Sequence, residues 1–146
     1  GESLRNAGLS RKETREKVEA LLKDCGLPPE YAGRYPHQVS GGQCQRAAIA
    51  RALAIAPRLL ICDEITSALD VTVQKEILEL LNALRTQQGR GLSILFISHD
   101  ISLVQQFCDR VLAMYRGEIV EEGTPDEVIR NPQNDYTKRL IDSVLS

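Results

Sequence analysis

The stretch from Leu59 to Asp70 decides the fold, and it reads Leu-Leu-Ile-Cys-Asp-Glu-Ile-Thr-Ser-Ala-Leu-Asp. Its apolar run ends abruptly at Asp63 and Glu64. A short apolar run followed by acids predicts a buried strand with carboxylates at its carboxyl end. After Asp70 the pattern is that of a long helix, whose apolar face carries Val73, Ile77, Leu80, Leu81 and Leu84.

The same alternation continues downstream. Leu92 to Ser98 predicts a second buried strand ending at His99, and a short helix through Val104 and Phe107 follows. Arg110 to Tyr115 predicts a third strand, which turns at Arg116-Gly117 into a hairpin with Glu118 to Glu122. Strands that alternate with helices indicate an α/β domain with a mostly parallel sheet.

Four further helices are predicted, three of them from a capping box at the first turn. Capping boxes begin at Ser10, Ser40 and Thr124, each with a glutamate or glutamine three residues later. The last predicted helix spans Tyr136 to Leu145. Together with the strands, these helices account for most of the chain.

Composition narrows the class of protein. The chain has 146 residues, 42% of them hydrophobic and 26% charged, as in soluble globular domains. The net charge of −2 gives no support for nucleic-acid binding. No apolar run is long enough to cross a bilayer and no secretory leader is visible, so membrane contact is expected to go through another protein. Four cysteines without a Cys-x-x-Cys pair, and only two histidines, favour a reducing cytosol over a metal cluster.

Polar residues at strand ends suggest phosphate chemistry, because open α/β sheets bind ligands beyond the carboxyl ends of their strands. Asp63 could hold Mg²⁺, Glu64 could orient or deprotonate a water, and His99 could hydrogen-bond a γ-phosphate. Ser40-Gly41-Gly42-Gln43 could bind an anion at a helix start. Each also has a structural interpretation, as a strand end, a hydrogen-bonded histidine or a helix cap. Their order and spacing favour the functional interpretation.

Four motifs now carry a resemblance to a family. Val39 to Gln43 resembles the signature motif of ABC proteins, and Leu59 to Glu64 resembles a Walker B strand with its catalytic glutamate. Ser67 to Asp70 is similar to the D-loop, and His99 within Ile97 to Asp100 resembles the switch histidine. In this order the motifs resemble those of ATP-binding subunits of ABC transporters. The resemblance implies a P-loop NTPase-like α/β fold, with ATP and Mg²⁺ as cofactors.

The resemblance also implies a role for each matching residue. Asp63 would bind Mg²⁺ through water, Glu64 would be the general base, and His99 would contact the γ-phosphate. Asp70 would communicate across a dimer. The γ-phosphate of ATP held by the opposing subunit would be bound by Ser40, Gly41, Gly42 and Gln43. The implied partners are a second ABC ATPase subunit, identical or homologous, and integral membrane permease subunits, at the cytoplasmic face of the membrane.

Further segments resemble one subfamily, the importers of dipeptides, oligopeptides and nickel. These segments are Tyr35 to Gln38, Ser67 to Gln74, and the tail from Asn131 to Leu140. Two other functions remain open: a non-transport ABC ATPase in DNA repair or translation, and a non-catalytic fragment that acts only in association. Long coiled-coil insertions and basic linkers, typical of the former, are not seen.

The phosphate-binding loop is missing, since none of the five lysines follows a glycine. We therefore expect an N-terminally truncated chain with three segments. Residues 1–57 would be the rear of a helical subdomain, 58–123 an α/β core, and 124–146 a C-terminal helical extension. Such a chain is expected to hydrolyse no ATP alone, to expose apolar faces of the strands at Leu59 and Leu92, and to self-associate.

Overall fold

A computed structural model describes residues 2–33 and 40–145. The chain packs as two compact units, the first running up to Leu95 and the second from Phe96 onward. The segments predicted at 1–57, 58–123 and 124–146 stay a prediction.

The first unit is mostly helical. Its helices are α1 (Glu2–Asn6), α2 (Arg11–Asp24), a 3-10 helix (Pro29–Gly33), α3 (Gly41–Leu53) and α4 (Val71–Thr86). The capping box at the start of α2 is confirmed: the Ser10 hydroxyl accepts the Glu13 N–H, and the Glu13 carboxylate accepts the Ser10 N–H at 2.9 Å. The pKa of the Glu13 carboxyl is lowered, first by hydrogen bonding with the Ser10 side chain and then by the Ser10 backbone N–H. Local side-chain bonds thus fix where the helix begins.

Strands β1 (Leu59–Asp63) and β2 (Ser93–Ile97) form a two-stranded sheet. The division between the two units falls within β2. Helix α4 connects the strands and buries the apolar face predicted for it, at Ile77, Leu80, Leu81 and Leu84. The fold class is confirmed as mixed α/β with a small parallel sheet.

Strand β1 is buried on one face only, as expected for a chain that exposes an apolar face of the strand at Leu59. Leu60 and Cys62 are 6% and 2% exposed, but Leu59 and Ile61 are 53% and 59% exposed. Side chains alternate across a strand, so one face of β1 is covered and the other is open. Strand β2 shows a similar alternation, with no residue fully buried.

The second unit begins within β2 and continues into α5 (Ile101–Phe107), β3 (Val111–Tyr115) and β4 (Glu118–Gly123). The predicted hairpin is confirmed, since β3 and β4 pair antiparallel from Tyr115 and Glu118 outward. Arg116 and Gly117 have φ values of 51° and 82°, as a tight two-residue hairpin turn requires. A bulge follows, because Ala113 pairs with Glu121 while Met114 pairs with Ile119.

The C-terminal region packs on this hairpin. The capping box at Thr124 is confirmed, but the predicted helix is only a five-residue π-helical turn, Asp126–Arg130. Asn131-Pro132 follows it, and proline cannot continue a helix. Helix α6 (Asp135–Leu145) agrees with the prediction to one residue. The rings of Tyr115 and Tyr136 lie 4.3 Å apart and join the start of α6 to β3.

The carboxylate of Glu121 provides a second anchor for this region. It accepts the backbone N–H groups of Gln133 and Asn134, just before α6. Burial acts to raise the pKa of this carboxyl, but the N–H bonds oppose it and the net shift is downward. In the part of the chain that the structure describes, no helix is long and apolar enough to span a membrane.

Candidate functional site

Ser40 forms the N-cap of α3 and sets the geometry of the Ser-Gly-Gly-Gln segment. The Ser40 hydroxyl accepts the Gln43 N–H at 3.2 Å, and the Gln43 side-chain carbonyl accepts the Ser40 N–H at 3.0 Å. The predicted capping box is therefore confirmed. The Gln43 amide also donates to the Tyr31 hydroxyl at 2.8 Å. The start of the helix is held in place by the chain's own side chains.

The exposed part of this segment has the properties of an anion site. Ser40 and Gly41 are exposed, whereas Gly42 and Gln43 are half-buried. The first N–H groups of a helix have no partner within it, and the helix dipole adds a partial positive charge there. A phosphate could accept bonds from these N–H groups and from the Ser40 hydroxyl. Gln43, by contrast, already serves as part of the cap.

Asp63 and Glu64 follow one another at the end of β1 and have different surroundings. Asp63 is the last residue of the strand and is exposed, while Glu64 is half-buried. The backbone of Glu64 has φ of 52°, in the left-handed region. That conformation costs a residue with a side chain on the order of 1 kcal/mol. The turn is closed on the Glu64 carbonyl by the Ser67 N–H at 3.3 Å and the Ser67 hydroxyl at 3.0 Å.

The loop from Glu64 to Asp70 is tied to α4 at two points. Asp70 is the N-cap of α4, and its carboxylate accepts the Val73 N–H at 3.0 Å. One turn into the helix, the Gln74 amide donates to the carbonyl of buried Thr66 at 2.9 Å. Sequence reasoning did not identify Gln74 or Ser67 as supports of this loop. A serine in a turn was a usable signal for Ser67, but nothing local indicates a bond from Gln74 back to Thr66.

His99 lies exposed after β2, in the second unit. The following residue, Asp100, caps α5 by accepting the N–H groups of Ser102 and Leu103. Asp63 and Glu64 belong to the first unit, so their approach to His99 stays a prediction. The structure does hold Ser40 to Gln43 and Asp63 to Asp70 in one unit. Val39 and the stretch from Tyr35 to Gln38 lie outside the described residues.

The carboxylates of Asp63 and Glu64 suit Mg²⁺, which takes most of its ligands from water and phosphate, better than a metal ion whose ligands all come from the protein. Among the described residues, no group of three or more histidines, cysteines or acids could hold a metal ion. Asp63 offers one exposed carboxylate, and Mg²⁺ takes one or two of these with phosphates and water as its other ligands. Burial raises the pKa of the neighbouring Cys62 thiol to about 11, so the free thiol is neutral at physiological pH.

Comparison with known proteins decides the family. A family model described as ABC transporter matches residues 2–67. The oligopeptide transport ATP-binding protein OppF of Escherichia coli K12 is 52% identical over 136 residues, which is 93% of this chain. Residues 2–67 thus carry part of an ABC transporter domain. The dipeptide transport ATP-binding protein DppF of Haemophilus influenzae is 48% identical over 93% of the chain. The glutathione import ATP-binding protein GsiA of Pectobacterium atrosepticum is 48% identical over 92%.

These ABC relatives are longer than the chain. It spans 40% of OppF, 41% of DppF and 21% of GsiA. The aligned part includes the segments at Ser40 to Gln43 and Asp63 to Asp70, since it leaves out only a small share of the chain. The resemblance to ABC proteins is thus confirmed at the level of the family, while the roles of individual residues stay predictions.

Proposed function

We propose that the chain is part of an ATP-binding subunit that powers peptide import by hydrolysing ATP. The observation that carries the proposal is the loop from Asp63 to Asp70. It presents an exposed carboxylate and a second, half-buried one at the end of β1, and is fastened to α4 by Gln74. The names of OppF and DppF, which concern oligopeptide and dipeptide transport, favour peptides as the cargo. Nickel, suggested by the subfamily resemblance, remains a second proposed cargo.

Each residue has a task in this proposal. Asp63 would hold Mg²⁺, which would supply positive charge to the phosphates. Glu64 takes a proton from the attacking water or orients it. His99 donates a hydrogen bond to the γ-phosphate. The Ser40 hydroxyl and the first N–H groups of α3 bind the γ-phosphate of a nucleotide held by another subunit, because a helix start attracts anions. Asp70 contacts the opposing subunit.

The proposed partners follow from which phosphate-binding groups the chain has and which it lacks. The chain carries a phosphate-binding helix start but no Gly-x-x-x-x-Gly-Lys loop, so it needs phosphate-binding groups from elsewhere. A second ABC ATPase subunit, identical or homologous, faces Ser40 to Gln43, and membrane permease subunits receive the motion at the cytoplasmic face. The chain by itself hydrolyses no ATP. A non-transport role in DNA repair or translation gains no support from the three relatives above.

Replacement of Glu64 tests the proposal. In the gene product that contains this chain, Glu64→Gln should lower the ATP turnover by about a hundredfold or more while ATP binding persists, since a general base contributes that much. Turnover is measured by phosphate release, and binding by equilibrium dialysis. The matched control is Glu79→Gln, an exposed glutamate on α4 that forms an ion pair with exposed Lys75 at 3.9 Å. Full turnover in the Glu64→Gln protein would contradict the assignment, and ATP hydrolysis by the 146-residue chain alone would contradict its proposed inactivity.

A further inference from the structure

The second glycine of the Ser-Gly-Gly-Gln segment has no room for a side chain. A Cβ placed on Gly42 would lie 2.6 Å from Cγ1 of Val73, in the first turn of α4. Carbon atoms in contact prefer separations of about 3.5–4.0 Å, so this distance is a clash. The first glycine differs, because a Cβ on Gly41 would make ordinary contact with Leu69 Cδ2 at 3.5 Å.

Backbone conformation does not explain Gly42. Gly42 is not among the glycines with positive φ, so any residue could adopt its backbone angles. It is also the second residue of helix α3, where alanine is intrinsically the better helix former. Within this chain, the requirement for glycine comes from the space that Val73 occupies.

Contacts between α3 and α4 continue beyond this pair. The Arg46 guanidinium, one turn after Gly42, lies 3.5 Å from the Glu76 carboxylate, about one turn after Val73. From the Gly42–Val73 pair to the Arg46–Glu76 pair, the contacts move toward the C-terminus of both helices. Arg46 also donates to the Cys25 carbonyl at 3.0 Å, which ties the pair of helices to the end of α2. The Arg46 side chain is 20% exposed but that of Glu76 is 53% exposed, so solvent screens this ion pair in part.

We propose that Val73 is a positioning residue for the signature segment, defined here as Ser40 to Gln43. Its contact with Gly42 locks the start of α3 onto the start of α4. Because Gln74, the next residue, holds the Thr66 carbonyl, the signature segment and the loop from Glu64 to Asp70 move as one body. Binding of a partner's nucleotide at Ser40 therefore bears directly on the chain's own carboxylates. This inference rests on the proposed function for its catalytic consequence, but the contact itself is independent of it.

A second-site rescue tests the contact in the gene product that contains this chain. Gly42→Ala should lower the thermal unfolding midpoint and reduce ATP turnover by about tenfold, since overpacking of this kind is costly. Val73→Ala alone should lower ATP turnover more than it lowers the unfolding midpoint, because it removes the contact that positions the signature segment. The double variant Gly42→Ala/Val73→Ala should recover both the unfolding midpoint and most of the turnover, because removal of the Val73 methyl groups makes room for the new Cβ.

Gly41→Ala is the matched control. Its Cβ fits within the chain, so the unfolding midpoint should be unchanged, while turnover should fall because the new methyl group hinders phosphate approach. Val73→Ala should not rescue that loss. If Gly42→Ala fails to fold, recovery of soluble protein on adding Val73→Ala supports the contact equally.

The outcomes separate the two proposals. If Val73→Ala restores neither the midpoint nor the turnover of Gly42→Ala, the positioning role of Val73 is wrong. If the double variant recovers its midpoint while Gly41→Ala and Glu64→Gln leave turnover unchanged, the contact stands and the proposed catalytic function fails.

Discussion

Glu64 combines a predicted chemical role with a costly backbone. Its φ of 52° places it in the left-handed region, which glycine adopts freely and other residues adopt at a cost. Two hydrogen bonds from Ser67 to the Glu64 carbonyl compensate part of that cost. Strained residues of this kind often occur at functional sites, where the surrounding structure holds a side chain in a needed direction.

Relief of the strain should be measurable. Glu64→Gly removes the steric cost of the left-handed conformation, whereas Glu64→Ala keeps it and equally removes the carboxylate. We expect the glycine variant to be more stable than the alanine variant by about 1 kcal/mol in free energy of unfolding. Urea denaturation of both variants measures the difference. An alanine variant as stable as the glycine variant would mean that the backbone at this position is relaxed.

At the scale of elements, the start of α4 is where several functions meet. Asp70 caps the helix, Val73 contacts Gly42 of α3, and Gln74 holds the preceding loop. The carboxylate of Asp70 thus has a structural task inside the chain in addition to the contact proposed with another subunit. A loss of activity on removing Asp70 could come from either task.

Two substitutions separate these tasks. Asp70→Ala should lower the free energy of unfolding by about 1 kcal/mol, because the Val73 N–H loses its acceptor. Asp70→Asn should keep that stability, since asparagine caps helices about as well, but it removes the charge. If the Asp70 charge acts across a dimer, Asp70→Asn should reduce ATP turnover in the gene product that contains this chain even though its stability is unchanged. Denaturation together with phosphate release distinguishes the outcomes, and equal stability of all three proteins would exclude the capping role.

At the scale of the whole molecule, apolar side chains lie open on the strands. The predicted exposure of apolar strand faces is confirmed on both strands: Leu59 and Ile61 are exposed on β1, and Leu95 and Ile97 are exposed on β2. Leu92, just before β2, is itself buried. In the second unit, Leu112, Met114 and Ile119 are exposed on the hairpin. Exposed apolar strand faces favour association with another surface, because burial removes them from water.

Self-association of the chain is therefore expected, and one open strand position can test it. Ile61→Lys should raise the dissociation constant of the associated form by about tenfold or more, as a buried isoleucine contributes that much. Sedimentation velocity over a concentration series measures it. The matched control is Ile55→Lys, at an equally exposed isoleucine just after α3 and off the strand. A monomer at every concentration, or an equal effect of both variants, would count against association through β1.

The sequence by itself determined the features that depend on neighbours along the chain. The helix starts at Ser10 and Ser40 and the turn at Arg116-Gly117 were predictable because a side chain or a backbone angle within a few residues fixes them. The acids after β1 were predictable as site candidates from their motif. Only the tertiary structure decided which face of β1 is covered, why Gly42 must be glycine and what Gln74 holds. Those outcomes depend on how side chains from separate segments fill one space, which no local pattern specifies.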